Sequence, residues 1–131
     1  MKFVEKENII VARFDDGEDF IGELQGIISF GKPLKIILSG LGMFRNVKLG
    51  YFESGKYIEH LIPEPVEVLA LSGSFMKNAD PPYHIHAVVG MKNGQVKGGH
   101  LLQADVWNTL ELFLILSDLD LRRNEKKHII I

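Results

Sequence analysis

One main helix packed on a mainly antiparallel sheet, an α+β domain, is the architecture this chain calls for. Three observations support it. A single stretch, Phe20 to Ile28, repeats apolar residues at helical spacing, while a series of short apolar or alternating segments has the length of strands. Between two of those segments, Met91-Lys92-Asn93-Gly94-Gln95 has the composition of a tight hairpin turn. No linker, repeat or low-complexity stretch divides the chain, so residues 1–131 read as one domain.

The elements follow in order. Asn8 to Phe14 is the first expected strand. Asp15-Asp16-Gly17 then opens the helix, with Asp16 and Asp19 at the positive end of its dipole and Phe20, Leu24, Ile27 and Ile28 on its apolar face. Gly31-Lys32-Pro33 stops it. Strands are expected at Leu34 to Leu38, Asn46 to Phe52, Tyr57 to Ile62, Val66 to Leu71, Tyr83 to Met91 and Val96 to Leu102. Asp105 to Asn108 has the makings of a helical turn, Leu110 to Leu116 of another apolar strand, and His128 to Ile131 of a last one.

Composition narrows the function. A chain of 131 residues with 46% hydrophobic content can bury roughly two thirds of the surface its unfolded form exposes. Cysteine is absent, which removes disulfides, thiolate metal sites and cysteine nucleophiles and fits a reducing cytoplasm. The amino terminus becomes charged too quickly for a secretory signal, and no apolar run approaches the ~20 residues of a membrane span, so a soluble, cytoplasmic protein is expected. Fifteen basic and seventeen acidic residues leave a net charge of -2, which supplies no global field to attract nucleic acid.

Histidine carries the most chemistry. Of five histidines, three fall at His84, His86 and His100, on the two arms of the expected hairpin. Strand alternation points His84 and His86 the same way, with Cβ atoms about 6.6 Å apart, close enough for two imidazoles to reach one ion. The turn decides where His100 lands. A two-residue Asn93-Gly94 loop would set His100 opposite Ala87, on the other face. A three-residue Lys92-Asn93-Gly94 loop, with Gly94 left-handed in a type I turn plus G1 bulge, would pair Met91 with Gln95 and place His100 across from His86. The second register is preferred because it gathers three imidazoles on one face.

Three neutral imidazoles leave a tetrahedral ion one open position, the arrangement of catalytic zinc. Zinc or another divalent transition metal suits such ligands. A carboxylate beside a metal-bound water would turn the site into a hydrolase or lyase centre acting on a small molecule. Glu67 and Glu111 are the candidate catalytic acids, since each interrupts an apolar strand and needs a partner there. Ser39-Gly40 and Ser72-Gly73-Ser74 lack the surroundings of a nucleophile elbow or phosphate loop, and Gly40 and Gly42 read as a turn between strands. His60 and His128 read as strand or surface filler, and Arg122-Arg123 as a solvated turn.

Taken in order, Leu38-Ser39-Gly40-Leu41-Gly42, Leu49-Gly50-Tyr51-Phe52, Glu67-Val68-Leu69-Ala70-Leu71-Ser72-Gly73-Ser74, and His84-Ile85-His86 through Gly98-Gly99-His100-Leu101-Leu102 resemble the PPC domain, the plant and prokaryote conserved domain. The resemblance spans nearly the whole chain. It implies a compact α+β fold that assembles as a homotrimer, of the stand-alone prokaryotic type. It also carries the three-histidine pattern of many prokaryotic members onto His84, His86 and His100. Plant members join the domain to an Arg-Gly-Arg-Pro AT-hook that lies in the minor groove; no such segment occurs here, and the stretch Pro65-Val66-Glu67-Val68-Leu69 lacks the glycine and arginine of its plant counterpart. The alternative is a DNA-binding or transcription-associated regulatory module in which the histidines are structural.

Overall fold

Alternation sets which side chains enter the core. In Ile9–Asp15 (β2), Ile10, Ala12 and Phe14 are buried while Val11, Arg13 and Asp15 face outward. The computed structural model describes residues 1–131 and places a further strand, Lys2–Lys6 (β1), ahead of it. The two pair antiparallel with Lys6 opposite Ile9, joined by Glu7 and Asn8, both at positive φ (51° and 67°). Such a primed two-residue turn matches strand twist, so Asn8 belongs to the turn and not to the strand expected to begin there. The charged sequence Lys-Phe-Val-Glu-Lys hid β1, whose side chains are mostly exposed.

The helix starts later than expected, at Phe20–Ile28 (α1). Asp19 caps it, its carboxylate accepting from the Gly22 N–H at 3.2 Å. Asp16 lies outside the helix and accepts from the Asn108 N–H at 2.6 Å. Phe20, Leu24, Ile27 and Ile28 are buried as the spacing predicts, and the Phe20 ring lies 5.0 Å from Phe14 and 5.1 Å from Phe44.

Two long strands organise the remainder. Leu34–Glu53 (β3) merges two expected strands into one of 20 residues. Val96–Ser117 (β7) absorbs the helical turn expected at Asp105 to Asn108 and runs for 22. Extended pairing wins there because Asp105 and Val106 find ladder partners in Arg45 and Phe44, and Val106 is fully buried. Gly40 and Gly42 accordingly lie inside β3, near register shifts in its pairing with β7, and not in a turn.

Lys56–Ile62 (β4), Val66–Met76 (β5) and Tyr83–Gly90 (β6) complete a seven-stranded sheet of order β1-β2-β7-β6-β5-β3-β4. Every pairing is antiparallel. Because β3 also pairs with β7, strands β7, β6, β5 and β3 close on themselves. The core is one cluster of 26 buried residues. Arg122–Arg123 (β8) and Ile129–Ile130 (β9) form a separate small hairpin near the carboxyl end.

One buried residue is charged. Lys35 is fully enclosed, and its Nζ donates to the Ile28 carbonyl at 2.8 Å, satisfying an acceptor that the end of α1 would otherwise leave orphaned. Burial, and after it the Lys77 charge, push its pKa down to about 8. An unfolded lysine holds its proton to about pH 10.4, so between those values the unfolded chain binds more protons and folding becomes more favourable as pH rises. Relative to Lys35→Met, the wild-type unfolding free energy should increase by about 1 to 2 kcal/mol from about pH 7.5 to 9.5, measured by urea denaturation.

Candidate metal centre

A single turn aligns the histidines. The Met91 N–H donates to the Gln95 carbonyl at 2.8 Å and the Gly94 N–H to the Met91 carbonyl at 2.9 Å, and Gly94 takes a φ of 86°. This is the three-residue loop, and it puts His86 directly opposite His100. Along β6, Ile85 and Ala87 are buried, so His84 and His86 both point to the opposite face, which His100 shares.

On the other side of β6, Ser72 pairs with His86 and Ser74 with His84. Gly73 stands between them at a φ of 147°, and a Cβ there would lie 2.0 Å from the His84 carbonyl oxygen. Only a residue without a side chain allows β5 to approach β6 this closely. The motif Ser72-Gly73-Ser74 therefore sets the backbone under the histidines.

The imidazole geometry can be tested against an ion. His84 Nε2 and His86 Nε2 are 3.2 Å apart. Two nitrogens each ~2.0–2.1 Å from a tetrahedral ion are separated by about 3.3–3.4 Å, so this pair already fits. One ligand atom from each of the three histidines lies within 4.8 Å of the others. His100 is held by Tyr57, whose ring stacks on the imidazole at 4.6 Å and whose hydroxyl is 3.4 Å from Nδ1. An Nδ1–H facing that oxygen leaves Nε2 free for a metal.

Electrostatics favour the neutral form of two of these imidazoles. Burial, then the neighbouring His84 and His86, lower the His100 pKa to about 4. Burial, then His86 and Arg123, lower that of His84. Neutral imidazole is the form that donates to a metal.

The carboxylates expected beside an ion lie elsewhere. Neither Glu67 nor Glu111 belongs to the histidine group. Glu67 pairs with Gly90 at the far end of β6 and lines a different cavity with Met43 and Met91. Glu111 sits toward the other end of β7, between Arg13 of β2 and Leu41 of β3. Both are exposed, so water solvates them and the apolar neighbours that suggested a buried acid point the other way.

The family model of the Plants and Prokaryotes Conserved (PCC) domain matches residues 1–117. The chain belongs to this family. Among solved structures, the PCC fold is shared with a plant- and prokaryote-conserved (PPC) protein from Pyrococcus horikoshii, 24% identical, with a TM-score of 0.78 over 94% of this chain and 87% of that one. A metal-containing protein from Archaeoglobus fulgidus is 29% identical, with a TM-score of 0.78 over 99% and 95%. A candidate DNA-binding protein from Bacteroides thetaiotaomicron is 19% identical, with a TM-score of 0.84 over 94% and 88%. No curated protein matches in sequence. No helix of this PCC domain is long and apolar enough to cross a membrane.

Two residues at the site escaped the sequence reading. Tyr57 arrives because β4 folds back on β3, and Gly50, opposite His100 in the ladder, leaves room for its ring: a Cβ there would lie 2.8 Å from Tyr57 Cδ1. Arg123, expected in a solvated turn, lines both cavities that His84 lines. Its neighbour Arg122 is exposed and pairs with Asp120 as a surface residue would. No local signal marked Arg123, since its position depends on where the β8–β9 hairpin lies against β6.

Proposed function

We propose that this PCC-domain chain is a metal-binding protein in which His84, His86 and His100 hold one divalent transition ion, with zinc the first candidate. The observation that carries the reading is the 3.2 Å separation of His84 and His86 Nε2, with His100 on the same face. The metal-containing relative from Archaeoglobus fulgidus supports it. Three histidines leave a fourth coordination position for water or a small molecule.

The functional unit in this reading is a homotrimer of the whole domain. Ile36, Leu38, Leu41 and Leu69 on β3 and β5 are large apolar side chains left exposed, and outward-facing apolar side chains on neighbouring strands are suited to burial between subunits. The DNA-binding alternative has a candidate DNA-binding neighbour at 19% identity, a likeness that carries the fold alone, and a net charge of -2 does not favour it.

Protein purified without a histidine tag, dialysed against zinc and then against buffer, should retain one zinc per chain by elemental mass spectrometry. Light scattering should return three times the mass of the 14.8 kDa chain. Zinc far below one per chain would reject the metal reading, and a monomer mass at micromolar concentration the assembly.

A further inference from the structure

Besides the histidines, the one charged side chain lining the cavity at His84 and His86 is a cation. Arg123 contributes to the 190 Å³ cavity with His84, His86, Ser72 and Ser74, and to a second of about 500 Å³ with His84 and His100. Its Nη1 donates to the Lys127 carbonyl at 2.9 Å, while its Nε is buried without a hydrogen-bond partner. No carboxylate pairs with it, although Arg122 beside it has Asp120. A guanidinium fixed next to a dication is unfavourable unless negative charge lies between them.

The larger cavity shows what else that negative charge would meet. Lys126 and Lys127 extend the positive wall, with Lys127 also 3.6 Å from Asp80. Phe52, Tyr57 and Tyr83 also line it, and the Phe52 and Tyr57 rings are 5.4 Å apart. Its volume lies within the range of small-molecule sites. Aromatic side chains in the lining suit a flat apolar body, and a planar guanidinium suits the two oxygens of a carboxylate or phosphate.

We infer that the ligand completing this site is a small organic oxyanion, a carboxylate or phosphate on a flat apolar body, whose head group bridges the metal ion and Arg123. The inference rests on the three-histidine metal reading. It places the ligand-selecting cation on the β8–β9 hairpin, beyond the residues 1–117 that the family model matches. It also replaces the expected carboxylate beside the metal with an arginine, so the open position is tuned to hold an anion.

The test uses zinc-loaded protein, with zinc content measured first for wild type, Arg123→Gln and Arg123→Lys, followed by calorimetric titration with benzoate, phenyl phosphate, acetate and benzyl alcohol. Wild type should bind benzoate or phenyl phosphate at one per zinc, acetate at least about tenfold more weakly, and benzyl alcohol not measurably. Arg123→Gln should retain its zinc and lose at least about tenfold in anion affinity, with partial recovery in Arg123→Lys. The stronger of the two aromatic anions identifies the head group. Equal anion affinity in wild type and zinc-loaded Arg123→Gln, or benzyl alcohol binding as tightly as benzoate, overturns this inference and leaves the metal reading standing. Absence of zinc from wild type removes both.

Discussion

Gly73→Ala should lower the unfolding free energy by at least about 3 kcal/mol, a large share of the ~5–15 kcal/mol that holds an ordinary domain folded. The new Cβ would lie 2.0 Å from the His84 carbonyl oxygen and 3.0 Å from Ile85 Cα, at a φ of 147°. Both obstacles are backbone, so no rotamer change relieves them; β5 and β6 would have to separate along a ladder that pairs Gly73 with Ile85. Gly94→Ala is the matched comparison. It too has a positive φ, 86°, but nothing lies within 4 Å of its would-be Cβ, so only conformational strain of about 1 kcal/mol is expected. Urea denaturation of the two variants separates close approach from conformation; similar costs would show that the β5–β6 contact is not rigid.

His86→Ala should reduce zinc affinity by more than about 100-fold while leaving the fold intact. Groups that merely orient a metal ligand are worth about 10–100-fold, so removing a ligand costs more. The side chain is exposed, and the 26-residue core does not include it, so stability should change by less than about 0.5 kcal/mol without metal. His60→Ala removes an imidazole from β4, outside the triad, and should leave zinc affinity unchanged. Calorimetric zinc titration of the three proteins checks both expectations, and equal affinity in wild type and His86→Ala would rule out the proposed ligation.

The triad was legible in the sequence because it depends on local rules. Alternation fixes His84 and His86, and Gly94 permits the turn that brings His100 opposite. The apolar face of α1 was legible for the same reason. What sequence could not show was continuity through apparent breaks: Gly40, Gly42 and the polar stretch at Asp105 to Asn108 look like interruptions, yet β3 and β7 run through them because each supplies the other's ladder bonds over a long pairing with bulges. Glu67 and Glu111 illustrate a second limit. Their apolar neighbours suggested buried acids, but alternation sends the acids outward and the neighbours inward. Arg123 illustrates a third, since a residue on a short terminal hairpin meets the histidines only through tertiary packing.

An anomalous difference map at the zinc absorption edge, from crystals of untagged, zinc-saturated protein, locates the ion itself. One peak per chain is expected ~2.0–2.1 Å from a ring nitrogen of each of His84, His86 and His100. A peak on other residues, or none at this triad, would contradict the assignment of these three imidazoles as a metal site.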